Sequence, residues 1–454
     1  MARAKKEAAL TPEERLQAAL VPDWEWPHKL PENWCWTTVG AINQYVGISA
    51  DPTKAKNKTF ELYSVPSSAD NYPEIVLGAD IGSTKQAVKK GDVLLCKINP
   101  RINRVWKVSK YTDHSLLASS EWIVVRNSRL ISNYLMWCFQ SPYFRGYMLS
   151  NVSGVGGSLM RAQPKFVQGY PVPVPPLAEQ QRVVDRIESL FAKLDEAKEK
   201  AQAVVDSFET RKSAILHKAF TGELTTKWRE EHGVRMESWE KKSVGELCIS
   251  LKYGTAKKSD ASGNVVVLRM GNLQQGEIDW SDLAYSNDPD DIERYKLFPG
   301  DVLFNRTNSA ALVGKTAIYR GEHPAIYAGY LIKLDYDHDK IIGDYLNYAL
   351  NTLDAKKYCN SVKTDGVNQS NINAKKIGAY SFNVPNIPEQ EKIVSVIQKL
   401  LSKEQQSKAA AEAVLDQIDL MKKSILARAF RGELGTNDPN EESAVELLKE
   451  IIRG

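Results

Sequence analysis

The stretch CKINPRINRVWKVSK (Cys96–Lys110) sets Lys97, Arg101, Arg104, Lys107 and Lys110 around Trp106. Cations interleaved with an aromatic ring suit a polyanion, because guanidinium and ammonium groups neutralise phosphates and can also hydrogen-bond base edges. Farther along, FNRTNSAALVGK (Phe304–Lys315) offers Arg306, Asn308 and Lys315, side chains able to pair with base edges. Two glycine-bearing loops add backbone that can approach phosphates. SGVGGSLMR contributes Gly156, Ser158 and Arg161 as candidates, and KTDGVNQSN contributes Asn368 and Gln369. The competing reading of the same residues is a lysine-guarded strand edge and ordinary turns.

Catalytic chemistry is missing. SAALVGKT (Ser309–Thr316) has Ser309 where a phosphate-binding P-loop needs Gly, so it reads as a loop entering the strand TAIY. No Asn or Asp is followed by Pro-Pro and an aromatic, as an amino-methyltransferase would require. DPDDIERYK (Asp288–Lys296) has the composition of a metal nuclease site but reads as a solvated acidic loop. The six histidines form no i, i+4 pair, and the five cysteines are scattered, odd in number and never C-x-x-C. Neither a zinc site nor a disulfide framework is expected, and no metal or cofactor is assigned to the chain. The thiols point to a reducing cytoplasm.

The charge is distributed to match a binding role. The net charge of the 454 residues is only +4, yet residues 31–175 hold 16 Lys and Arg against 9 Asp and Glu. Residues 235–385 hold 19 of each. A basic surplus in the first lobe is evidence for a polyanionic partner. No run of apolar residues is long enough to span a membrane, and the charged N-terminus does not read as a secretory signal.

These residues must be positioned by elements that occur twice. AILHKAFTGEL (Ala214–Leu224) returns 210 residues later as SILARAFRGEL, and from Arg211 to Leu224 eight of fourteen positions are identical to Met421–Leu434. The same offset relates Val174-Pro175 to Val384-Pro385 and Glu179-Gln180 to Glu389-Gln390. Each half opens on a Trp-containing segment, passes a GDVL turn into a strand, alternates as strands do, and leaves through prolines into a long helix. In the first helix Ile187, Leu190, Leu194, Ala197, Ala201, Val204, Phe208 and Ile215 form a narrow apolar stripe interrupted by Arg211. The second stripe comprises Ile397, Leu400, Ala411, Val414, Ile418, Met421 and Ile425, with Glu404 and Ser407 as a polar break. Such stripes seek a partner helix, and each other is the simplest partner; two separately buried amphipathic helices are the alternative.

The expected class is therefore α+β: two mixed α/β domains separated by two long antiparallel helices forming a coiled coil, with a pseudo-twofold internal repeat. The expected boundaries are an N-terminal helical arm (1–30), a first lobe (31–175), a central spacer helix (176–234), a second lobe (235–385) and a distal spacer helix with a C-terminal helix (386–454). A helix over Glu179–Phe220 would be a rod of roughly 63 Å. Phe220, Leu224, Phe430 and Leu434 lie in the repeated phrase, where a repeated protein partner would dock; a core role is the other possibility.

Taken together, the Trp-x(4)-Val-Gly openers, the GDVL turns, the PPLAEQ and IPEQ helix entries, and the KAFTGEL and RAFRGEL endings resemble the specificity subunit of a Type I restriction–modification system. The resemblance spans essentially the whole chain, including ALVP (Ala19–Pro22) and the closing ESAVELLKEI. It implies two target recognition domains, each reading half of a bipartite site in double-stranded DNA, separated by helices acting as a ruler. It further implies two docked methyltransferase subunits, which bring S-adenosylmethionine, and separate motor and endonuclease subunits. The chain itself would not be catalytic. The rival is a coiled-coil scaffold that joins two proteins without touching DNA.

Overall fold

In a computed structural model, which describes residues 11–154, 160–367 and 369–453, the chain forms two compact units. Unit 1 runs to Lys200 and resumes at Val414; unit 2 is Ala201–Ala413. These boundaries fall inside the long helices rather than at the lobe edges, so each unit gathers one lobe, the start of one long helix and the end of the other.

In unit 1 the opening strand Cys35–Thr38 pairs antiparallel with the exit strand Pro171–Val174. The GDVL strand, Val93–Cys96, lies between Val105–Lys107 and Trp122–Val125 in a three-stranded sheet. Beside it a five-stranded sheet orders Ser49–Ala50, Lys85–Ala87, Ser115–Ala118, Thr59–Tyr63 and Glu74–Leu77. Unit 2 repeats the frame with different additions. Glu240–Ser243 pairs with Ser381–Val384, and the GDVL strand Val302–Asn305 lies between Thr316–Ile318 and Leu331–Tyr336, with Cys248–Tyr253 at the edge. Strand Thr316–Ile318 is the element expected after the false P-loop.

The helices are Leu177–Asp206, Phe208–Phe220 and Ile387–Ala429. The first rod is thus two helices with a break at Ser207, whose hydroxyl donates to the Ala203 carbonyl four residues back. Serine competing for helix carbonyls in this way bends helices. Pairing is antiparallel in both units. In unit 2, Lys408 lies 5.0 Å from the Phe208 ring and Arg211 Nε donates to Glu404 Oε2 at 2.5 Å. Two of the three residues that interrupt the apolar stripes, Arg211 and Glu404, therefore meet each other. In unit 1, Lys422 reaches Asp195 at 2.5 Å and covers the Phe191 ring. Val414 and Met421, expected in the seam, are exposed, while Ile418 and Leu426 are buried. Ala411 of the expected stripe is buried as well, and the aliphatic stem of Lys422 covers the Phe191 ring.

The repeated phrase closes each helix pair. Gly222 (φ 82°) and Gly432 (φ 73°) adopt the left-handed conformation that ends a helix. A Cβ at Gly222 would meet Met236 Sδ at 2.7 Å, and one at Gly432 would collide with Pro31. Beyond these glycines the chain folds back onto the first turn of the opposite helix. Thr436 donates to Glu179 at 2.6 Å in unit 1, and Thr225 donates to Glu389 at 2.8 Å in unit 2. Both glutamates are fully buried. Arg182 also donates to Glu179, whereas Arg229 and the Trp239 indole donate to Glu389 at 2.7 and 2.9 Å. Burial raises the Glu179 carboxyl above its ordinary range, against the opposing pull of Thr436 and Arg182.

The adjacent glutamines face the lobes. Gln180 accepts from Ile131 N and donates to Pro175 O; Gln390 accepts from Ile342 N and donates to Pro385 O. The Glu-Gln pair thus ties the end of the opposite helix with one residue and its own lobe with the next.

Candidate nucleic-acid interface

In unit 1 the GDVL aspartate is structural. Asp92, nearly fully buried, takes a two-point ion pair from Arg126 at 2.7 and 2.6 Å, which fixes the strand's start. At its far end the chain leaves the sheet through Asn99 (φ 47°), a 3-10 turn over Pro100–Ile102, and Asn103 (φ 53°). Both asparagines hold the left-handed conformation that this residue tolerates better than most. The turn pushes Arg101 into solvent, with Ile102 exposed beside it and Arg104 half-buried.

Two residues of this stretch serve elsewhere. Lys107 points back toward the helix Ser132–Gln140, where it donates to Asn133 Oδ1 at 2.5 Å. Trp106 is buried in the core, 4.5 Å from the Tyr63 ring. It packs the lobe and presents no face for a base, because strand alternation turns it inward between Val105 and Lys107.

The glycine loop and the basic stretch, distant in sequence, converge. Strands Val152–Ser153 and Arg161–Ala162 form a hairpin whose second strand docks on the GDVL strand's exit. Ala162 N donates to Lys97 O at 2.9 Å, Asn99 N donates to Met160 O at 2.8 Å, and Ile98 bridges Arg161. On the other side Lys97 N donates to Glu121 O at 2.9 Å. Lys97, just past the GDVL strand, and Glu121, just before Trp122–Val125, thus meet the strand that holds Arg161, and Arg161 makes a two-point ion pair with Glu121, each hydrogen bond 3.3 Å long. Gly156 and Ser158 lie outside the described residues.

Unit 2 builds the same junction with other side chains. Arg306 N donates to Tyr330 O at 3.0 Å, Ile372 N donates to Arg306 O at 2.8 Å, and Thr307 pairs with Asn371. Arg306 therefore stands where Lys97 stands, Tyr330 where Glu121 stands, and Asn371 where Arg161 stands. The Arg306 guanidinium lies 4.8 Å from the Tyr253 ring and donates to Gly329 O and Asn371 Oδ1, both at 3.3 Å. Asn371 Nδ2 in turn donates to Thr307 Oγ1 at 2.8 Å. Arg306 thus turns inward, a correction to its reading as a free base contact. Lys315 is likewise engaged, donating to Gln274 at 2.8 Å. Asn308 is half-exposed and Gln369 exposed, both beside the junction; Asn368 lies outside the described residues.

Glu121, Tyr253, Tyr330 and Asn371 are junction residues that sequence reasoning missed. The 210-residue offset does align Arg161 with Asn371, so one of the four was within reach.

The proposed docking residues divide. Phe430 is fully buried, its ring 5.3 Å from Tyr134 and its carbonyl accepting from His28 Nε2 at 2.9 Å. It is a core residue of unit 1, because the N-terminal arm and the C-terminal helix Ala444–Arg453 pack into the same core. Phe220 is half-buried, 4.9 Å from Tyr345, and lines a groove of about 790 Å³ with His217, Lys241, Leu353 and Tyr380. Leu224 and Leu434 are half-buried against their own cores.

Among the described residues no cluster of three or more His, Cys, Asp or Glu side chains could hold a metal ion. No described helix is long and apolar enough to cross a membrane.

Comparison with known proteins agrees with this architecture. Residues 236–413 match the Type I restriction modification DNA specificity domain. The specificity subunit of the type I restriction enzyme StySPI of Salmonella potsdam is 27% identical over 340 residues, 72% of this chain and 73% of that one. In fold, the chain is similar to one from a structural study of complex assembly and conformational transition of the type I R-M system. That likeness has a TM-score of 0.71 at 20% identity, covering 90% of this chain and 100% of that one. The HsdS subunit from Thermoanaerobacter tengcongensis is similar over the same share of both chains, with a TM-score of 0.64 and 22% identity. A lobe frame built twice and carried on paired helices is thus what this chain shares with Type I restriction–modification specificity subunits, to which it is similar over nearly three quarters of its length in sequence and over most of it in fold.

Proposed function

We propose that the chain is the sequence-specific DNA-binding subunit of such a system, reading a bipartite target with residues 31–175 and 235–385 as its two recognition domains. In this reading it docks two methyltransferase subunits and, through the complex, motor and endonuclease subunits, and it contributes no catalytic residue of its own. Its place of action is the cytoplasm, where DNA and reduced thiols coexist. The observation that carries the reading is the junction built twice on one backbone plan with different side chains. A shared frame with exchanged side chains is what two readers of different half-sites require.

Lys97, Arg101, Arg104 and Arg161, with Gly156 and Ser158, would face DNA from the first lobe; Asn308, Asn368 and Gln369 would do so from the second. Phe220, Leu224 and Leu434 are the remaining docking candidates. Exchange of residues 31–175 for those of another family member should change one half of the methylated sequence and leave the other intact; a methylome altered in both halves refutes the division. In a salt titration of DNA affinity, Arg101→Ala with Arg104→Ala should make the log–log slope shallower by about 0.9 for each phosphate no longer neutralised. Wild-type affinity that is flat with salt would instead favour the scaffold reading.

A further inference from the structure

Unlike the exposed Arg101, Arg161 is held by a carboxylate. Glu121 accepts from its Nε and from its Nη2, and the Arg161 side chain is still 49% exposed. A guanidinium has two edges that can make paired hydrogen bonds. The Nε–Nη2 edge is occupied by Glu121, so the edge left for a ligand is Nη1 with the second Nη2 hydrogen. Two parallel donors of this kind match the O6 and N7 acceptors that guanine presents in the major groove.

The carboxylate also argues against a phosphate as the ligand. It cancels much of the charge that attracts the backbone and would repel a phosphate placed nearby, while leaving the donor pattern of the free edge intact. Fixing the planar group beforehand lowers the ordering cost of the interaction. Unit 2 has the opposite arrangement. Arg306 donates from Nη1 and Nη2 to Gly329 O and Asn371 Oδ1, so the corresponding edge is already taken by the protein.

We infer that the first lobe reads a guanine of its half-site through Arg161, that Glu121 is the positioning residue for this contact, and that Arg306 makes no equivalent contact in the second lobe. The inference rests on the DNA-reading function proposed above. The contact lives at one base pair, and the charge balance at Glu121 makes a second, independent signature.

The test uses the full chain assembled with its methylating subunits, and duplexes carrying each single base-pair change in the half-site assigned to residues 31–175. The wild type should require a G·C pair at one position. Arg161→Ala should reduce discrimination at that pair alone by roughly ten- to a hundredfold. Glu121→Ala should relax the same pair while steepening the salt dependence of non-specific binding, because it unmasks a cation. Glu121→Gln, which keeps one acceptor for the guanidinium, should restore part of the discrimination. A residue with a merely structural role would lose discrimination at several positions and gain no salt dependence. Uniform loss of affinity in Arg161→Ala with discrimination intact overturns the inference, as does a first half-site lacking any G·C pair. A wild-type complex that methylates no bipartite sequence overturns the DNA-reading function itself.

Discussion

The same phrase, A-F-x-G-E-L, ends a helix in each unit, yet Phe430 is fully buried and Phe220 half-buried. The difference lies in what each unit places over the ring. Around Phe430 the segment from Ala19 to Trp34 and the helix Ala444–Arg453 join the core, with the His28 ring 5.0 Å from Trp36 and 5.7 Å from Tyr143. In unit 2 only the short connection Thr221–Trp239 follows the helix, and Lys241 occupies the place in the opening strand that Trp36 holds in unit 1. The motif determines how the helix ends; neighbouring chain determines whether its aromatic becomes core. A repeated motif is therefore weak evidence that its most conspicuous residue binds a repeated partner.

Truncation should separate the two rings most strongly. Phe430→Ala is expected to destabilise unit 1 by about 3–5 kcal/mol, whereas Phe220→Ala, already half in solvent, should cost unit 2 about half as much. Urea unfolding of the two variants measures this, and equal losses would erase the distinction.

The buried glutamates give a comparison of similar size in the reverse direction. Glu389→Ala leaves Arg229, 9% exposed, without its carboxylate and should cost unit 2 about 3–5 kcal/mol. Glu179→Ala should cost less, about 1–3 kcal/mol, because Arg182 retains its two-point pair with Glu441 at 2.8 and 2.7 Å. Thermal unfolding that ranks Glu179→Ala as the more damaging would show that the stranded Arg229 charge is not what sets the cost of breaking these ties.

A smaller effect follows from His28. Burial lowers its pKa below 6.5, with the Arg431 charge adding to the shift, and its Nε2–H donates to Phe430 O. A base with a depressed folded pKa contributes stability above its unfolded value and loses it as the pH falls below about 6.5. Unit 1 should weaken below that pH by at most about 1.4 kcal/mol per pH unit from this group. His28→Gln should remove this part of the acid response, visible as a smaller shift in urea midpoint between neutral and mildly acidic buffer; an unchanged shift would assign the response to another group.

The helix seams differ least. Arg211–Glu404 in unit 2 is partly shielded and Asp195–Lys422 in unit 1 more open, so double-mutant cycles should give coupling of up to about 1 kcal/mol for the first and less for the second. The reverse order would mean that the Phe191 ring under Lys422, rather than exposure, governs the pair.

Particular residues show how far the sequence could be read. Its repeat, its prolines and its two apolar stripes were sufficient for the number of lobes, the long helices and their antiparallel pairing, because these follow from local periodicity and from symmetry. Val414 and Met421 were misplaced because an apolar residue one step from the seam looks the same in a stripe as one within it. Trp106 was misread for a related reason: cations around an aromatic suit a nucleic-acid surface, but strand alternation alone does not say which of two faces meets the core.

What only the tertiary structure decided is which distant residues share a site. That Glu179 would meet Thr436, or Glu121 hold Arg161, depends on pairings across tens to hundreds of residues that leave no mark in local spacing. The sequence by itself determined that two similar frames exist and that one is basic. Backbone hydrogen bonding between strands far apart in the chain decided which side chains each frame brings together. One arginine was left with its Nη1–Nη2 edge open and the other with that edge engaged because a guanidinium takes the nearest acceptor, and only the fold says what is near.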